Sequence, residues 1–145
     1  MLNQTQINEI REHLDKAQNP LFFFDNDVDG LVSFLIFQRY LERGRGIPIK
    51  SFPALSQTYV KRIKELKPDY IFVLDKNSIE PEFIKEVDEM NIPLVVIDHH
   101  NVPKIEIENY YNPFYVDGKT EPVSYLAYKI AQKKSDLWLA VIGCI

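Results

Sequence analysis

Three short apolar runs in this chain each end directly in an aspartate: Phe22-Phe23-Phe24 before Asp25, Ile71-Phe72-Val73-Leu74 before Asp75, and Leu94-Val95-Val96-Ile97 before Asp98. Runs of this length, rich in aromatic and β-branched residues and apolar throughout, read as strands buried on both faces, the signature of a parallel sheet. Amphipathic stretches separate them, so strand and helix alternate as in βαβ units. The expected fold class is α/β, with an open, mostly parallel sheet and helices on both faces. Such sheets bind ligands beyond the carboxyl ends of their strands, and here three strands deliver an acid to that edge.

Local signals place the elements. Ile7 to Leu14 reads as an amphipathic helix stopped by Asn19-Pro20, residues 21–24 as a strand, and 31–41 as a helix with Gly44 and Gly46 as stop signals. Residues 47–52 read as a second strand, and 57–66 as a helix with Lys61, Arg62 and Lys64 on its wet side. A strand over 70–74, a helix over 81–90 opened by Pro81 and a strand over 92–97 follow. An irregular stretch runs to Gly118, then helices over 122–132 and from Asp136 onward.

The chain has 145 residues, 46% of them hydrophobic, and a formal charge of −4. One globular domain over 1–145 is expected. The charge excludes a general nucleic-acid coat but not a nucleic-acid substrate, since cations held by carboxylates would offset it. Cys144 is the single cysteine, which excludes an intramolecular disulfide or a thiolate metal cluster and fits a reducing compartment. The first residues are polar and helical rather than a signal peptide, and no apolar run is long enough to span a bilayer. A cytoplasmic protein without membrane contact is the expectation.

Asp25-Asn26-Asp27-Val28-Asp29-Gly30 is the densest acidic feature. Alternating carboxylates repel one another unless they splay into water or bind a cation. An isolated loop of this kind would be a solvated turn. This one lies between an apolar strand and an apolar helix, which places it at the sheet edge. An EF-hand loop also begins D-x-D-x-D-G, but its twelfth position needs a glutamate and here it is Ile36. Asp75 at the same edge is a natural bridging ligand between two cations, although Lys76 offers it an ordinary ion-pair partner. Asn77 suits a left-handed turn there.

Asp98-His99-His100 is the strongest signal. Imidazole ligates manganese, iron and zinc, and carboxylate-rich surroundings favour a hard cation such as manganese or magnesium. The chain has no Walker P-loop, no G-x-G-x-x-G after the first strand and no G-x-S-x-G serine elbow. Tyr110-Tyr111 and Phe114-Tyr115 offer aromatic faces for stacking bases, with packing under a loop the simpler role. His13 carries no assigned role.

The D-N-D-V-D-G loop at 25–30, the V-L-D at 73–75 and the V-V-I-D-H-H at 95–100, followed by Asn112-Pro113 and the Ser124 segment, resemble the DHH family of phosphoesterases over nearly the whole chain. The loop is more similar to that of RecJ-type exonucleases than to the oligoribonuclease, cyclic-dinucleotide phosphodiesterase or pyrophosphatase branches. The resemblance implies a DHH catalytic domain using two divalent cations, manganese above magnesium, to hydrolyse single-stranded DNA or RNA. Asp25, Asp27 and Asp29 would divide between the two ions, Asp75 would bridge them and His99 would ligate one. Asp98 and His100 would be the catalytic pair that orients the phosphate, with Asp98 also able to fix an imidazole.

Two departures qualify this. The family carries a fourth-motif aspartate shortly after a segment like 139–145, and Asp136 comes early for it. The family also carries a C-terminal DHH-associated domain that grips substrate, for which 145 residues leave no room. The expectation is a DHH domain truncated before the fourth motif, weak or inactive alone. The alternatives are a small-molecule phosphoesterase and a non-catalytic binding module of a replication or repair assembly.

Overall fold

Side chains alternate across a β-strand, and in this chain both alternating sets are apolar. In one set Phe22, Phe24, Phe72, Leu74, Val95 and Ile97 enter one core, while Leu21, Phe23, Ile71, Val73, Leu94 and Val96 enter another. A sheet with two dry faces requires cover on both. The structure is a computed structural model and describes residues 1–50 and 54–145. Its elements in chain order are α1 (Gln4–Lys16), β1 (Pro20–Asp25), α2 (Val28–Leu41), β2 (Arg45–Ile49), α3 (Val60–Leu66), β3 (Tyr70–Leu74), α4 (Pro81–Glu89), β4 (Leu94–Ile97), β5 (Asn109–Tyr111), α5 (Phe114–Asp117), α6 (Val123–Ala131) and α7 (Leu137–Gly143). Helices α1, α2, α6 and α7 supply the first core, and α3 and α4 the second.

The strands form one sheet in the order β2-β1-β3-β4-β5, every pair parallel. This is the predicted α/β class with helices on both faces. From β1 the chain moves outward to β2, then returns to add β3 on the other side of β1. The carboxyl ends of β1 and β3 flank that reversal, where open α/β sheets form their crevice. Asp25 and Asp75 stand at those two ends, and Asp98 one strand further.

Several boundaries differ from the sequence reading. Helix α2 begins at Val28 rather than Leu31, because Asp27 is its N-cap and accepts from the Gly30 N–H at 2.8 Å. Only glycine fits at position 30, since a Cβ there would lie 2.3 Å from the Asp25 carbonyl oxygen. Gly46 is no stop signal; it pairs with Phe22 inside β2. The predicted 47–52 strand starts earlier and ends at Ile49, with 51–52 outside the described residues. The predicted 57–66 helix opens as a 3-10 turn over Gln57–Tyr59. The irregular stretch contains β5 and α5, both too short for periodicity to reveal.

Candidate metal centre

Each acid owes its position to the end of an element. Asp25 closes β1, Asp27 and Asp29 occupy the start of α2, Asp75 follows β3, and Asp98 with the two histidines follows β4. Asp75 itself takes the left-handed conformation, with φ of 57°. The sequence placed that turn at Asn77; it falls at the acid, one of the few side chains other than glycine that enter this region readily. The Asp75 N–H donates to the Ile97 carbonyl at 2.9 Å while the chain turns.

Both Asp75 carboxylate oxygens are buried and lack a hydrogen-bond partner among the described residues. His99 Nε2 lies 3.2 Å from Oδ1 without hydrogen-bond alignment. A buried carboxylate in this condition is costly unless a cation meets it. One donor atom from each of Asp25, Asp27 and Asp75 lies within 4.8 Å of the others, and the same holds for Asp75, His99 and His100. Asp75 belongs to both trios. One trio is all oxygen and the other mixes oxygen with imidazole nitrogen, a donor set that suits hard divalent cations. The residues present fit the metal that the pattern implies.

Asp29 stands outside both trios. Its oxygens accept from the Val123 and Ser124 N–H groups at 2.9 and 2.8 Å, clasping the start of α6, with Oδ2 3.7 Å from His99 Nε2. Asp98 is fully buried; Oδ1 accepts from His100 Nδ1 at 2.6 Å and Oδ2 from the Tyr110 hydroxyl at 3.3 Å. That bond assigns the Nδ1 proton and leaves Nε2 as the other ring nitrogen able to act. His100 Nδ1 is 3.9 Å from Asp75 Oδ1. Asp98 is thus placed to position His100.

Burial pushes Asp75 up to about 7; the contact with His99 pulls it back, and the charges of Asp29 and Asp27 add to the rise. The adjoining Asp75 carboxylate raises His99, and Asp98 raises His100.

Three participants take roles that the sequence did not assign them. Tyr110 braces Asp98 as above. Asn112, quoted only within Asn112-Pro113, donates to the His100 carbonyl at 3.0 Å and accepts from the Phe114 N–H at 2.9 Å, tying the histidine loop to the end of β5. Lys76 is buried and pairs with Asp25 rather than with its neighbour Asp75: its Nζ is 3.3 Å from Asp25 Oδ1 and 3.0 Å from the Lys50 carbonyl. Asp136 is buried against Arg39, with Oδ1 2.8 Å from Nη2, and takes no place in either trio. Tyr110 and Tyr111 are buried as expected, and Lys61, Arg62 and Lys64 are exposed. His13 meets the Tyr70 hydroxyl at 3.1 Å.

A cleft of about 220 Å³ opens at the site between Asp25, Asp75, Lys76 and His100. A larger one of about 940 Å³ lies between α4 and residues 105–109 and contains none of the predicted site residues.

The model of the DHH family, N-terminal domain, matches residues 21–142. The chain belongs to the DHH family. The DHH chain carries two side-chain clusters, Asp25–Asp27–Asp75 and Asp75–His99–His100, able to hold divalent metal. Among solved structures it is similar to an exonuclease RecJ bound to manganese (TM-score 0.79, 18% identity, 98% of this chain and 43% of that one). It is also similar to RecJ in complex with manganese from Thermus thermophilus (TM-score 0.74, 20% identity, 98% and 24%) and to CDC45 from Entamoeba histolytica (TM-score 0.70, 20% identity, 98% and 33%). At these identities the likeness is one of fold. The DHH chain spans less than half the length of each. No curated protein matches it. No helix among the described residues is long and apolar enough to cross a membrane.

Proposed function

We propose that this DHH domain is the metal-holding part of a RecJ-like nuclease that hydrolyses phosphodiester bonds in single-stranded nucleic acid, with two manganese ions as cofactors. The observation that carries this reading is Asp75, whose two buried oxygens have no donors among the described residues and which alone belongs to both donor trios. The manganese in the two RecJ structures of the same fold supports the choice of ion. Asp25 and Asp27 would hold one ion, His99 the other, and Asp75 both. Asp29 holds α6 and its positive N-terminal end against the site, and adds negative charge beside His99. Bound divalent cations supply Lewis acidity toward a phosphoryl oxygen and toward the attacking water. Asp98 accepts from His100 Nδ1 and favours the imidazolium, oriented so that its Nε2–H can donate to a phosphate oxygen.

Calorimetric titration with manganese tests the metal half of the reading, and two bound ions are expected. Assay of the intact gene product against single-stranded DNA, short RNA, cyclic dinucleotide and pyrophosphate tests the substrate half. Cleavage of the single strands, lost with chelator and in Asp75→Ala and His99→Ala, is the expected result. Full activity in either variant would sink the assignment, and turnover of pyrophosphate alone would replace the nuclease with a small-molecule phosphoesterase.

A further inference from the structure

Lys76 directly follows the acid shared by the two trios, and only 3% of it is exposed. Its ammonium lies 3.3 Å from Asp25 Oδ1 and 3.0 Å from the Lys50 carbonyl oxygen, against the cleft where the acids meet. A buried ammonium needs its partners, because leaving one unpaired carries a large desolvation cost. Asp25 is a member of the carboxylate trio and not of the Asp75–His99–His100 trio. The lysine charge therefore falls on a donor of one subsite and not the other.

We propose that Lys76 is a resident counter-ion of Asp25 that splits the centre into a tight and a weak metal subsite. The inference rests on the two-cation reading above and adds to it an order of loading. The subsite of Asp75 and His99 fills first, because a cation entering there meets a carboxylate and an imidazole, neither of them the partner of the Lys76 ammonium. A cation entering the Asp25–Asp27–Asp75 trio meets an ammonium already held against one of its donor oxygens. Two positive charges a few ångströms apart in a partly dry site repel strongly, so filling this subsite requires Nζ to leave Asp25. The Lys50 carbonyl remains as its partner, which makes the displacement feasible and the subsite weak rather than closed. Lys76 acts here on a metal through Asp25, as a positioning residue.

Manganese titration of the wild-type chain and of Lys76→Met, followed by calorimetry and electron paramagnetic resonance, tests this. The wild type should show two steps whose dissociation constants differ by at least about tenfold. Lys76→Met replaces the ammonium with an apolar chain of similar length, and should tighten the weaker step by at least about tenfold while leaving the tighter one within about twofold. At one equivalent of manganese the wild type should give the spectrum of isolated ions, and Lys76→Met should add a spin-coupled fraction. Two equal steps in the wild type, or an unchanged weaker step in folded Lys76→Met, would overturn the inference and leave the two-ion reading standing. No manganese bound by folded wild type would overturn both. Should Lys76→Met fail to fold by circular dichroism, Lys76→Gln and the wild-type separation decide.

Discussion

Asp75 and Asp98 follow neighbouring strands, and neither is open to solvent. In the sequence they are twins, each an acid at the end of an apolar run. In the fold they separate. Asp98 has a donor for each oxygen, from His100 and Tyr110, whereas Asp75 has none among the described residues and sits in left-handed backbone. A buried carboxylate with its donors in place holds the structure around it. One without them destabilises the protein until a cation arrives. The two strands thus end in one acid built for architecture and one built for ligation.

The comparison breaks most readily at Asp75. Asp75→Asn preserves shape and tolerance of positive φ, yet should lower phosphodiesterase activity of the intact gene product by about a thousandfold or more, because a neutral amide cannot bridge two cations. Without metal the same change should stabilise. The folded protein keeps on Asp75 a proton that the unfolded chain releases near 3.8, and holds it up to about 7. That contribution is complete below about pH 4 and lost as pH rises through about 7. His99 and His100, both raised, lose their contribution in the same direction. Metal-free wild type should therefore melt at a lower temperature at pH 8 than at pH 5. Asp75→Asn should recover on the order of 1–3 kcal/mol at pH 8, clearly less at pH 5 and nothing below about pH 4. Equal gains at both pH values would show that Asp75 is not the group that titrates.

Asp98→Ala should have the opposite sign. It strands the buried Tyr110 hydroxyl and frees the His100 ring, so chemical denaturation should report a loss of about 2–4 kcal/mol with or without metal. A stabilised Asp98→Ala would erase the distinction between the two acids. The smallest effect belongs to Tyr110→Phe, which removes one of the two donors to Asp98. A loss of about 1 kcal/mol is expected, with manganese stoichiometry unchanged.

The sheet was legible because strands β1, β3 and β4 are apolar on both faces and end in acids, and the reading of both faces as covered needed nothing further. Strand β5 was not, since Asn109-Tyr110-Tyr111 is too short to carry a period and is set by pairing with β4. At the site, sequence spacing identified which residues meet but not what each one does there. That Asp27 caps α2, that Asp29 clasps α6 and that Lys76 reaches Asp25 all depend on where helix starts and a strand turn fall in space. The left-handed turn was assigned to Asn77 on residue preference, which favours asparagine, whereas Asp75 takes it.

The clasp between Asp29 and the start of α6 also sets when Asp29 can take its place beside His99. It joins residues 94 and 95 positions apart, a closure that carries a large loop entropy and comes late in a folding chain. During synthesis the acidic loop leaves the ribosome many seconds before its α6 partner, at about 5–20 residues per second. Until α6 docks, Asp29 lacks the two N–H donors that hold its carboxylate beside His99.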